Sequence, residues 1–253
     1  DEIVRAECPD SRRPESGVVS QSPPPSRVPG LNGRWLAPGK SRLCIYLRVD
    51  KVATMKTQPV REQLLEHTLI LIRQRGCNGF SYRDLAELVG VKTSSIHYYF
   101  PSKDDLILEA VKEYSRRISE RLAGISGDLP VLDQARQYLE PLRQTCGSNQ
   151  ICLAGMLSTE ILSLPESVHS VLKDFYHVNE NWLAKLLERG QKERDTPYPV
   201  PPAMLAQVIY GALQSGLIAA RLFGTQDRLE SAAETLLGAL CNKRAAALLE
   251  AHA

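Results

Sequence analysis

The stretch SYRDLAELVGVKTSSIHYYFPSKDDL, residues 81–106, decides the fold. Ser81 with Asp84 three residues on has the form of a capping box, so a helix starts here. Leu85, Ala86, Leu88 and Val89 give that helix an apolar face. Gly90 ends it, because glycine alone enters the left-handed conformation at little cost. Val91 turns the chain inward, and Thr93 to Phe100 suits a second helix of about two turns. Pro101 closes that helix, and Ser102 with Asp105 repeats the capping box for a third. Two short helices about a glycine turn have the form of a helix-turn-helix, whose second helix enters the major groove of DNA.

The flanks extend the helical pattern in both directions. Leu64, Leu65, Thr68, Leu69 and Ile72 form one face of a helix from Val60 to Arg75, with Arg61, Glu62, Glu66, Arg73 and Arg75 outside. Gly76 to Gly79 is the turn into the motif. Downstream, Leu106, Ile107, Ala110, Val111, Tyr114, Ile118 and Leu122 recur at helical spacing and predict a long helix joining the motif to the rest of the chain. Beyond the break at Gly124–Pro130, helices are expected near Val131–Thr145, Asn149–Leu164, Glu166–Gly190, Pro201–Phe223 and Gln226–Leu249. Pro165, Gly190, the Pro197–Pro202 stretch and Gly224 punctuate them. No strand-like alternation occurs, and the fold class is all-α.

Composition bounds this reading without deciding it. The 253 residues allow one large domain or two moderate ones, and 43% hydrophobic with 6% aromatic residues suits a globular chain. The formal net charge is +2, and Lys and Arg barely outnumber Asp and Glu between Met55 and Arg121. The case for DNA therefore rests on the motif and not on charge. Six cysteines, at 8, 44, 77, 146, 152 and 241, include no CxxC pair, which reads as reduced thiols in a cytoplasm. No secretory signal is evident and no purely apolar run reaches membrane-spanning length, so no membrane partner is expected. Residues 1–54 hold seven of the sixteen prolines and no helical period. They are expected to be a disordered or non-native leader, with translation beginning at Met55.

Gly76, Phe80, Leu85-Ala86, Gly90-Val91 and Tyr98-Tyr99-Phe100-Pro101-Ser102-Lys103 together resemble the DNA-binding domain of TetR-family regulators, over roughly residues 60–120. The resemblance implies a three-helix head at 60–120, with its motif at 83–102, and a helical ligand-binding and dimerisation body at 121–253. It implies that Thr93, Ser94, Ser95 and His97 face base edges, while Tyr98 and Lys103 hold phosphates, which fix position without reading sequence. Backbone amides at the Ser102-capped helix start would join them. Lys92 stands where the family often has a capping serine, and His97 where it often has tyrosine. Phe100 reads as core. The function so implied is a repressor, a homodimer on double-stranded operator DNA that a small-molecule or electrophile inducer releases. The alternative is a helical protein–protein adaptor without DNA binding.

The stretch Ile151-Cys152-Leu153-Ala154-Gly155 with Thr159-Glu160, and Ala206-Gln207-Val208 later, resembles electrophile-responsive repressors of that family, although Arg221 stands where such relatives carry lysine. If Ser148 caps a helix from Asn149, Cys152 lies in its first turns, where the dipole favours a thiolate. Cys152 also suits a buried small hydrophobe. An apolar pocket walled by Met156, Phe175, Trp182 and Tyr210 is expected one turn away. Gly211, Ser215 and Ala219, and in parallel Ala212, Gly216 and Ala220, form a small-residue strip bordered by Leu213, Leu217 and Phe223, on which a partner helix is expected to pack. His169 and His177 stand eight apart without a carboxylate at metal spacing between them, so neither metal site nor cofactor is expected. No phosphate loop, HExxH or GxSxG occurs, Asp104 and Asp105 belong to a helix start, and no catalytic residue or enzyme activity is expected.

Overall fold

The structure, a computed structural model, describes residues 58–146, 149–193 and 198–241. The expectations for residues 1–54, for a Ser148 cap and for a last helix running to Leu249 lie outside them. Among the described residues every regular element is helical. They are α1 (Val60–Arg75), α2 (Tyr82–Val89), α3 (Thr93–Tyr99), α4 (Lys103–Gly124), α5 (Val131–Cys146), α6 (Leu153–Thr159), a 3₁₀ turn (Ile161–Ser163), α7 (Glu166–Lys192), α8 (Pro202–Phe223) and α9 (Asp227–Leu240).

The helix-turn-helix forms for the reasons its sequence carries. Both capping boxes close: the Ser81 and Ser102 side chains each accept from the third backbone N–H of their helix, and Asp84 and Asp105 reach back to the cap. Gly90 caps α2 in the left-handed region, at φ 78° and ψ 34°. Ile96 and Phe100 then drop onto Leu85, Ala86, Leu106 and the inner face of α1, all buried. Thr68 is buried among them and satisfies its hydroxyl by donating to the Leu64 carbonyl at 2.7 Å. The N-cap of α3 is Lys92, whose side chain makes no capping bond.

α4 is the shared element, packed on α1 at one end and on α7 further along. Arg61 pairs with Glu109 at 3.1 Å, and Arg117 with Glu66, fastening α1 to α4 along their outer edge. α8 lies between α7 and α9 and buries Ala206, Ile209, Tyr210, Leu213, Gln214, Gly216, Leu217 and Ala220 on the helical period. By length and composition alone α8 could cross a membrane, yet 44% of its most apolar window is buried inside the protein.

Two sequence expectations are corrected. The small-residue strip divides: Gly211, Ala212 and Ser215 are exposed, but Gly216 and Ala220 are buried within the monomer. A Cβ on Gly216 would lie 2.8 Å from the Leu229 Cα, so this glycine admits α9 and no partner helix. The outward face of α8 carries Met204, Val208, Ile218 and Leu222, with Gly211 and Ser215 between them.

The helix expected at Asn149–Leu164 is the much shorter α6. Asn149 takes a left-handed φ of 54°, and Ile151 then pairs with Arg73, its N–H donating to the Arg73 carbonyl at 3.2 Å while Arg73 Nε donates back to the Ile151 carbonyl at 3.1 Å. That pairing holds the chain extended until Leu153. At the far end Pro165 disfavours helix at Leu164, and the chain passes through the 3₁₀ turn.

Candidate nucleic-acid interface and effector cavity

α3 presents one polar face to solvent. Thr93, Ser94, His97 and Tyr98 are exposed, Tyr98 to 82%, whereas Ser95 is half-buried and Phe100 is core at 1%. His97 is not free to swing. Its Nδ1 lies 3.2 Å from the Pro101 carbonyl and its ring meets Tyr82 edge-on at 4.8 Å. Tyr82, which the sequence did not single out, donates its hydroxyl to the Phe100 and Ser102 carbonyls at 3.0 and 2.5 Å, tying the α3–α4 junction to α2. Burial, helped by Asp105 and Asp104, pushes its phenol up to about 12, so it stays a donor. Lys103 donates to the Phe80 carbonyl at 2.5 Å with its ammonium 4.6 Å from the Phe80 ring centre. It therefore braces the head, with two of its three protons left over.

The α1–α2 turn rests on the end of α6. The Glu160 carboxylate accepts from the Cys77 N–H at 2.6 Å and from Asn78 Nδ2 at 3.4 Å. Gly76 leaves room for it, since a Cβ there would lie 2.6 Å from Glu160 Oε1. Burial opposes the charge on Glu160, but the hydrogen bonds from Cys77 and Asn78 outweigh it and hold the carboxyl below its usual range. Burial, with Glu160 adding to it, pushes the Cys77 thiol up to about 12. Arg221, at the end of α8, donates to the Gln74 carbonyl at 2.5 Å.

At the other end of α6 lies a cavity of about 50 Å³. Cys152, Phe175 and Tyr210 line it, together with Tyr114, Tyr138, Asn179 and Gln214. Met156 and Trp182 do not. Cys152 is the N-cap of α6 and the Met156 N–H donates to its carbonyl at 3.0 Å, so the expected one-turn relation holds although Met156 stays off the cavity wall. Trp182 lies behind Tyr138, stacked on it at 5.0 Å, and the Tyr138 ring forms the wall. The Cys152 thiol is buried, makes no capping bond, and accepts from the Tyr114 hydroxyl at 3.8 Å. Burial raises the phenols of Tyr114, Tyr138 and Tyr210 far above their ordinary range, so all three stay neutral. Tyr114 was legible only as one member of the α4 inner face. Asn179 and Gln214 carried no signal, because polar residues inside an apolar period look like solvent-facing ones.

Among the described residues no group of three or more His, Cys, Asp or Glu side chains could hold a metal ion. Residues 64–110 match the family model described as bacterial regulatory proteins, tetR family. The chain is 27% identical over 177 residues to the HTH-type transcriptional repressor NemR of Escherichia coli strain K12, covering 68% of this chain and 89% of that one. It is 24% identical over 183 residues to the HTH-type transcriptional repressor DhaR of Mycobacterium sp. strain GP1, covering 70% and 89%. Among solved structures, a TetR transcriptional regulator from Legionella pneumophila superposes with a TM-score of 0.65 at 31% identity, covering 71% of this chain and 96% of its own.

Proposed function

Since the chain belongs to the TetR family of bacterial regulatory proteins and is a DNA-binding transcriptional regulator, we propose that it is a repressor released from its operator by an effector in the body cavity. The observation that carries this is the pairing of an exposed polar face on α3 with a cavity whose wall, α4 and the Cys152 segment, is also what holds the head. Residues 60–120 act as the head and 121–253 as the body. Thr93, Ser94 and His97 read base edges, with Ser95 at the margin of the face, while Tyr98, Lys103 and the first amides of α4 hold phosphates. The protein works in the cytoplasm, where the DNA is and the thiols stay reduced.

The exposed apolar row Met204, Val208, Ile218 and Leu222 on α8 supports a homodimer through the α8–α9 face. Two heads then meet half-sites about one helical turn apart or a multiple of it. Release follows if an effector favours one arrangement of the body over the other. A thiol-reactive effector fits the same cavity: Cys152 adds across an activated alkene, one S–C bond forms, and the thiol proton passes to the neighbouring carbon. The added bulk presses on Tyr114 of α4 and on the Ile151–Arg73 pairing.

Gel shifts on DNA upstream of the gene test both parts. Wild type and Cys152→Ser are expected to bind that DNA alike, and iodoacetamide is expected to release the wild type alone. A chain that binds none of that DNA removes the repressor part. Release of both proteins by iodoacetamide removes the thiol arm.

A further inference from the structure

The cavity holds one polar group that the protein leaves unanswered. Tyr210 is 2% exposed and its hydroxyl has no hydrogen-bond partner among the described residues. A buried hydroxyl without a partner is costly, so a site that keeps one has a use for it. The other phenols of the wall are engaged, Tyr114 with Cys152 and Tyr138 with Asn179 Oδ1 at 3.4 Å. One turn beyond Tyr210 on the same face of α8, Gln214 is also buried and lines the cavity. Gly155 of α6 lets its amide approach, since a Cβ there would lie 2.9 Å from Gln214 Oε1. Among the described residues no carboxylate lines the cavity. The phenols stay neutral, and Arg121, the one cation among the described residues of the wall, is exposed.

We propose that Tyr210 and Gln214 form the polar end of the effector site, and that the effector is a compact uncharged molecule with a carbonyl oxygen that accepts from the Tyr210 hydroxyl. Its carbon skeleton lies against Phe175 and Tyr138. A cation finds no counter-charge here and is excluded by the cost of its own desolvation. The volume sets the size. One water needs roughly 10–15 Å³ by this measure, so about 50 Å³ takes a molecule of a few heavy atoms without moving the walls. This rests on the effector-release reading above and deepens it, adding reversible recognition that needs no reaction at Cys152.

The test uses the full chain with cyclopentanone, a saturated ketone to which a thiol cannot add across an alkene, and with cyclopentylammonium as the cation of similar shape. Ligand-observed NMR without DNA reads binding alone, so a protein that fails at the operator is still informative here. Wild type is expected to bind the ketone, and Tyr210→Phe to bind it roughly 5–10-fold more weakly, the loss of one neutral hydrogen bond. The ammonium is expected not to bind. Should Tyr210→Phe fail to fold, Gly155→Ala displaces the Gln214 amide and is expected to weaken the ketone several-fold. Absence of ketone binding to wild type, equal binding by the folded variants, or an ammonium that binds as well as the ketone overturns the assignment. An operator-binding failure with intact ketone recognition would instead count against the repressor reading.

Discussion

The ammonium of Lys103 belongs to two structures at once. One proton is committed to the Phe80 carbonyl and the charge sits over the Phe80 ring, while two protons are left over on a residue that opens α4. Lys103→Ala is therefore expected to lower the melting temperature of the head by an amount equivalent to about 1 kcal/mol, and to weaken operator and scrambled DNA together. His97→Ala removes a group held against Tyr82 and pointed outward, so its effect is expected mainly on discrimination, about 1–3 kcal/mol if the lost contact is a good one. Gel shifts on both DNAs, with a thermal melt, separate the two roles. A change of preferred sequence in Lys103→Ala would contradict the phosphate assignment.

At the scale of elements, the short α6 segment joins cavity and head, and its two ends are testable. Glu160 has its carboxyl lowered, so its contribution to stability is complete above the unfolded carboxyl value of about 4.3 and fades as pH falls through the lower folded value. The melting difference between wild type and Glu160→Gln is thus expected to be largest near neutrality and to close in acid. A difference that stays constant from pH 7 to pH 3 would show that the charge on Glu160 contributes nothing. On α8, Val208→Glu is expected to give folded monomers by sedimentation, because Val208 is 64% exposed on the proposed dimer face. Gly216→Ala is expected to cost about 1–3 kcal/mol of monomer stability, because its Cβ meets the α9 backbone.

The elements differed sharply in how legible they were. α2, α3 and the start of α4 could be read from Ser81, Gly90 and Ser102 because capping is local chemistry. α6 could not, since what delays its start is the pairing of Ile151 with Arg73, 78 residues away. The same limit applied to Gly216. Period 3.6 marks which residues share a face, but only the packed structure shows whether α9 or a second chain covers that face.

For the whole molecule, the first prediction is that residues 1–54 are dispensable. Their proline-rich composition motivates it, as does the Legionella regulator, 96% of which is covered by 71% of this chain. Protein beginning at Met55 is expected to match the full chain in helicity, mass in solution and operator affinity, and a large loss in any of these would refute it. A second consequence is mechanical. α4 has 22 residues and is therefore about 33 Å long, with Leu122 on the cavity wall and the Ser102 cap beneath the α3 face. A rod of that length tilted by about 5° at its cavity end swings its other end by roughly 3 Å, close to the 3.4 Å rise of one base step. With two such rods related by a two-fold axis the displacements oppose each other. In the proposed homodimer, a shift small enough to pass unnoticed in the body would throw the pair of α3 helices out of step with the groove by more than a base pair.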